Sequence, residues 1–171
     1  MLKQRLLVSI ALVVFFPWVT AATAEDADCY TVASVHGTYA FIGTYDSHVA
    51  ISLGLRHFDG NGNMTGTSII NEPTPGSTTG ARTILTTTQV GTYTINCDGT
   101  GVITRTITVS NGVVVTQIDD LLITAAVVKH DHLLATAMSD AQRVPSAVVP
   151  GGVLLTRSYT RRPDQSPEHE R

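Results

Sequence analysis

Between His36 and Thr160 the chain is a succession of short runs of Thr, Val and Ile, each closed by Gly, Asn, Asp or Pro. This punctuation constrains the fold more than any other feature. β-Branched side chains lose rotamer freedom in a helix but pack well on a pleated surface. The runs are also short and poor in the Glu, Lys and Leu stripes that amphipathic helices need. The pattern predicts strands over 36–44, 49–58, 64–71, 82–96, 101–109, 113–118, 121–129, 132–138 and 153–160.

The connections are as informative as the runs. Asp59-Gly60-Asn61-Gly62-Asn63 offers residues that tolerate positive φ between two apolar stretches, which predicts a hairpin. Asp98-Gly99-Thr100-Gly101 predicts another. Asn111-Gly112 predicts a type I′ turn, Asp119-Asp120 a turn or strand start, and Lys129-His130-Asp131-His132 a tight reversal. Only the Pro- and Gly-bearing segments 73–80 and 143–152 are long. Antiparallel strands joined in chain order make a meander, and a meander that curls far enough closes and loses its edges. The fold class is therefore all-β: a meander of about eight strands closed into a lipocalin-like barrel. A β-sandwich is the alternative, but it needs crossovers that only the two long loops supply.

The barrel is preceded by an export signal. Lys3 and Arg5 open the chain, an apolar run extends from Leu6 to Phe16, and Ala22-Thr23-Ala24 meets the small-residue rule of signal peptidase. The apolar run is short for a membrane span, which takes about 20 residues. The reading is a signal peptide over 1–24, a single β-barrel domain over 25–160 and a disordered charged tail over 161–171. The mature protein would then be periplasmic or extracellular, with no membrane span. Without Lys3 and Arg5, nine of the 11 basic residues remain against 14 acidic ones. A chain of that balance lacks the basic face a nucleic acid requires.

Cys29 and Cys97 are the two cysteines. In an oxidising compartment an even count predicts one disulfide, here tying the N-terminal lead to the Asn96–Gly99 turn; a pair of free thiols is the alternative. No C-x-x-C pair marks a redox enzyme.

Gly37-Thr38-Tyr39 recurs as Gly91-Thr92-Tyr93, and Phe58-Asp59-Gly60-Asn61-Gly62 is echoed by Cys97-Asp98-Gly99-Thr100-Gly101. With Cys29, Ala40-Phe41 and Thr94-Ile95-Asn96, these motifs resemble a group of exported bacterial small β-barrel proteins of unknown function, of the lipocalin-like or allene-oxide-cyclase-like kind. The resemblance spans most of the mature chain, and its motifs are turn and packing motifs, so it implies a fold and hardly a function. Lipocalins begin with G-x-W packed on a late arginine. Here Tyr39 takes the place of that tryptophan, Arg157 is the matching arginine, and Trp18, the one tryptophan, lies in the signal peptide. No catalytic residue carries over from the cyclase-like barrels.

Candidate chemistry is sparse. Asp59, Asn61 and Asn63 alternate with glycine like the start of a calcium loop, but Met64 and Ile70 stand where an EF-hand has Gly and Glu, so a hairpin is expected. His130 and His132 flank Asp131 in a turn without an evident third ligand, and His36, His48 and His57 are scattered. No metal site and no cofactor are expected. Glu72 is the only glutamate between Glu25 and the tail, too few for a glycosidase pair. There is no G-x-S-x-G nucleophile motif. Tyr39, Phe41, Tyr45, Phe58 and Tyr93 are expected as ordinary core, with the lining of a ligand cavity as the alternative; Asp119 and Asp120 are further cavity candidates, either of which would act as a general base if burial raised its pKa.

These residues carry three expectations. The first is a non-enzymatic barrel that binds a small apolar or amphipathic ligand inside. The second is a surface or interaction protein with a filled core and contacting loops at 73–80 and 143–152. The third is a barrel isomerase or cyclase using Asp119, Asp120 or Tyr39.

Overall fold

The computed structural model describes residues 29–163. The predicted signal peptide and most of the predicted tail lie outside the described residues. Eight antiparallel strands follow in chain order: β1 (His36–Tyr45), β2 (Ala50–Asp59), β3 (Asn63–Pro73), β4 (Arg82–Ile95), β5 (Thr100–Val109), β6 (Val114–Lys129), β7 (His132–Gln142) and β8 (Leu155–Arg161). Each pairs with its neighbours, and β8 pairs back on β1 from Tyr39↔Arg161 to Tyr45↔Leu155, closing the barrel. The meander barrel is thus the fold, and the sandwich alternative is set aside.

Two of the predicted boundaries change. The runs at 113–118 and 121–129 are one strand, β6, which passes straight through Asp119 and Asp120. Their alternation explains it: Gln117, Asp119 and Leu121 face inward while Ile118, Asp120 and Leu122 face outward, so a charged pair sits in a strand without breaking the period of two. The predicted tail also begins too early, because Arg161 belongs to β8 and the Arg162 amide donates to the Thr38 carbonyl at 2.8 Å. At Asn111-Gly112 only the glycine has positive φ, at 90°, so the turn is not the expected type I′. At the Lys129–His132 reversal, His130 and Asp131 both do, at 49° and 61°.

The interior is layered along the barrel axis. At one end Tyr39, Phe41, Phe58, Tyr93, Ile103 and Met138 form the larger apolar cluster, closed off by Tyr30, Val32 and Val35 from the segment before β1. Phe58 meets Tyr39 and Tyr93 edge-on, with centroids 5.6 and 5.1 Å apart, the arrangement favoured by the ring quadrupole. The repeated Gly-Thr-Tyr thus places two tyrosines on either side of one phenylalanine. Their hydroxyls find backbone partners: Tyr39 donates to the Ala135 carbonyl at 2.8 Å, and the Tyr93 hydroxyl lies 2.8 Å from the Val35 carbonyl. A Cys29–Cys97 disulfide pins this plug to the β4–β5 turn, with the Tyr30 amide donating to the Cys97 carbonyl at 3.1 Å. At the other end Tyr45, Ala50, Ile70, Leu85, Ile107 and Leu155 pack under Val148, Val149 and Val153 of the β7–β8 loop.

Candidate functional site

Between the two apolar layers the barrel buries charge. Arg56, Arg105 and Arg157 point inward from β2, β5 and β8, and Asp119 and Asp140 from β6 and β7. Arg105 grips Asp119 with two N–H groups, Nε to Oδ2 at 2.6 Å and Nη2 to Oδ1 at 3.2 Å. Arg157 bridges the acids, its Nη1 2.7 Å from Asp140 Oδ1 and 3.4 Å from Asp119 Oδ1. Arg56 Nη1 donates to the other Asp140 oxygen at 3.0 Å, and the Tyr159 hydroxyl sits between them, accepting from Arg56 and donating to Asp140. The Arg56 guanidinium also lies over the rings of Phe41 and Tyr159, 5.2 and 5.3 Å from their centroids.

Uncharged groups complete the layer. Arg56 Nε donates to Gln89 at 3.3 Å, Gln89 to Ser68 at 3.2 Å, and Gln142 to Gln117 at 2.6 Å. Burial alone would raise the Asp119 pKa, but the charges of Arg157 and Arg105 outweigh it and hold the carboxyl below the usual carboxylate range. Burial, helped by the neighbouring Arg157 and Arg56, lowers Arg105 to about 10, which leaves it protonated at neutral pH. The free space in this layer, among Phe41, Ser52, Gln89, Arg105 and Gln142, is about 10 Å³, room for about one water.

A roomier site lies at the loop-bearing end. A cleft of about 520 Å³ opens between the β3–β4 loop and the β7–β8 loop, walled by Val49, Pro73, Pro75, Val149 and Pro150. Its walls are braced. Ser77 Oγ accepts from the Thr79 and Ala81 amides at 3.2 and 3.0 Å, and Ser146 Oγ from Val148 and Val149 at 3.2 and 3.1 Å. Glu72, the last inward-facing residue of β3, also lines it.

The residues singled out from sequence separate into three places. Tyr39, Phe41, Phe58 and Tyr93 are brought together, but as packed core. Asp119 is inward, yet its pKa moves down and not up as general-base use required. Asp120 is on the outer wall, 2.7 Å from Arg143 Nη2 in an exposed ion pair. Asp59 accepts from the Asn61 and Asn63 amides at 2.7 and 3.0 Å, which makes it the organiser of its hairpin turn. No group of three or more His, Cys, Asp or Glu side chains among the described residues is placed to hold a metal. The arginine whose charge acts on Tyr39 is Arg161, whereas Arg157, matched to the lipocalin position, lies over Phe41 at 5.9 Å.

Sequence reasoning missed Arg56, Arg105, Asp140, Gln89 and Tyr159 as a group. The available signal was parity: each lies an even number of residues from an apolar inward neighbour, as Arg56 does from Phe58 and Arg105 from Ile103 and Ile107. Among the described residues, no helix is long and apolar enough to cross a membrane. No family model matches the chain, and no curated protein or solved structure is significantly similar to it.

Proposed function

We propose that this is an exported, lipocalin-like, non-catalytic binding protein whose barrel is a filled scaffold and whose loop-bearing end makes the contact. The observation that carries the reading is the middle layer. A ligand inside would have to displace three arginines and two aspartates that are ion-paired with one another, where free space is about 10 Å³; ligand pockets run to roughly 300–1,000 Å³. The cleft at the loops is of that size, at about 520 Å³. The same packing speaks against a barrel isomerase, because Asp119 is ionised, paired and without a neighbouring space for substrate. Export is supported by the signal-like leader and fits the Cys29–Cys97 disulfide.

Native mass spectrometry of the mature protein from its natural fraction tests the reading. A bound mass is expected on the wild type and absent from a variant whose 74–80 loop is replaced by Asn-Gly. Retention of that mass by the shortened variant, or a bare wild type, refutes it.

A second reading rests on the outer wall. Ile42, Leu53 and Ile69 are cross-strand neighbours on β1, β2 and β3, and each is more than half exposed. With Ile51, Leu55 and Ile84 they expose on the order of 500 Å² of aliphatic surface with no charged residue among them. Threonines 67, 86 and 88 extend this face toward the roughly 800 Å² per partner of a standard interface, which suits a second copy of the chain. Sedimentation equilibrium that stays monomeric at tens of micromolar refutes this reading.

A further inference from the structure

We propose that the cleft at the loop-bearing end is a binding site for a small organic ammonium ion carrying an apolar body, with Glu72 as its counter-ion. The proposal rests on the reading of that end as the contact surface, and it names the chemistry of what is held there. Glu72 is only 5% exposed, and its Oε2 is buried with no hydrogen-bond partner among the described residues. A buried carboxylate oxygen without a donor is costly, and native structures rarely leave one so unless something else supplies the donor.

Arg82 does not supply it in this structure. It acts on Glu72 through its charge, while three of its five N–H groups are engaged elsewhere: Nε on Asn71 Oδ1 at 2.7 Å, Nη2 on the Asn71 carbonyl at 2.8 Å and Nη1 on the Val49 carbonyl at 3.0 Å. Desolvation raises the Glu72 pKa, the direction expected of a carboxyl that lacks a close cation.

The rest of the cleft defines the other half of the ligand. Val49, Pro73, Pro75, Val149 and Pro150 give it apolar walls, and among the described residues Glu72 is the only charged side chain lining it. One carboxylate among apolar walls suits one N–H-bearing cation attached to a hydrocarbon group. It does not suit a divalent metal, which takes six or more oxygens or a set of nitrogen and sulfur ligands. The walls are held by their own Ser77 and Ser146 hydrogen bonds, so the site is shaped before a ligand arrives.

The test is a titration of the mature, disulfide-intact protein, labelled with ¹⁵N and ¹³C, with 2-phenylethylamine. Saturable shifts are expected at the amides of residues 72–77 and 149–153 and at the Glu72 carboxyl carbon. The isosteric alcohol 2-phenylethanol should bind at least ten-fold more weakly. E72Q should weaken the amine at least ten-fold and leave amine and alcohol alike. Equal binding of amine and alcohol by the wild type, full affinity in E72Q, or no shifts at 10 mM amine overturns the proposal. If E72Q does not fold, the wild-type carboxyl carbon decides: it must shift saturably with amine and stay in place with alcohol. A loop-dependent natural bound mass together with a failed amine titration overturns the ammonium assignment alone; loss of both overturns the reading beneath it.

Discussion

Replacing Asp119 by Asn removes one negative charge from a layer that holds three guanidinium groups and two carboxylates. Asp119 is fully buried and, among the described residues, is the one carboxylate that pairs with Arg105, which it meets at 2.6 and 3.2 Å. Asn is nearly isosteric, so the cost is electrostatic and not a cavity. Breaking one partner of a buried pair leaves an uncompensated charge and costs about 3–5 kcal/mol. With a urea m-value of about 2 kcal/mol/M, the unfolding midpoint should fall by about 2 M at unchanged m. The double variant R105M/D119L should recover much of the loss, because replacing both members by apolar groups is often neutral. Recovery will be partial, since Arg157 also contacts Asp119 and would keep only Asp140. Equilibrium urea unfolding of the wild type, D119N and R105M/D119L, followed by far-UV circular dichroism without reductant, measures both the loss and the recovery. A cost for D119N below about 1 kcal/mol, or a double variant no better than D119N, would refute the argument that the middle layer is a dry, mutually dependent network.

The pH dependence follows from the same pair. The folded-state pKa of Asp119 is held below its ordinary value, so its contribution to stability is complete above about pH 5 and is lost as pH falls below about 4; acid titration of the unfolding midpoint should show this loss and D119N should flatten it. Glu72 has the opposite sign: its raised pKa means the ionised form destabilises the fold, so E72Q should raise the melting temperature at pH 7, and a fall would contradict the unpartnered carboxylate. Reducing Cys29–Cys97, which closes a separation of 68 residues, should cost about 4 kcal/mol of loop entropy, read as a lower urea midpoint with dithiothreitol. Gly54→Ala should cost about 1–3 kcal/mol, because its Cβ would lie 2.3 Å from the Thr67 carbonyl and 2.7 Å from the Phe41 ring, and an unchanged midpoint would show that β2 and β3 yield more than described.

The strands, the turns between them and the closed meander were legible in the sequence because each rests on local causes. β-Branched runs prefer a pleated surface, Asp-Gly and Asn-Gly clusters reverse the chain, and short reversals leave few topologies besides a curling sheet. The aromatic cluster was legible as well, since Tyr39, Phe41, Phe58 and Tyr93 declare themselves by type. Parity along a strand is a weaker signal: Asp119 and Asp120 differ by one residue, and that one residue puts the first in the core with Arg105 and Arg157 and the second on the wall with Arg143. Only closure decided what the inward polar residues do. Arg56 and Asp140 are 84 residues apart in the chain and meet across the barrel at 3.0 Å. Glu72, read alone, was too little for catalysis. It became a candidate site when the β3–β4 and β7–β8 loops, far apart in sequence, were set on either side of it, because a carboxylate's meaning depends on which donors the fold brings within reach.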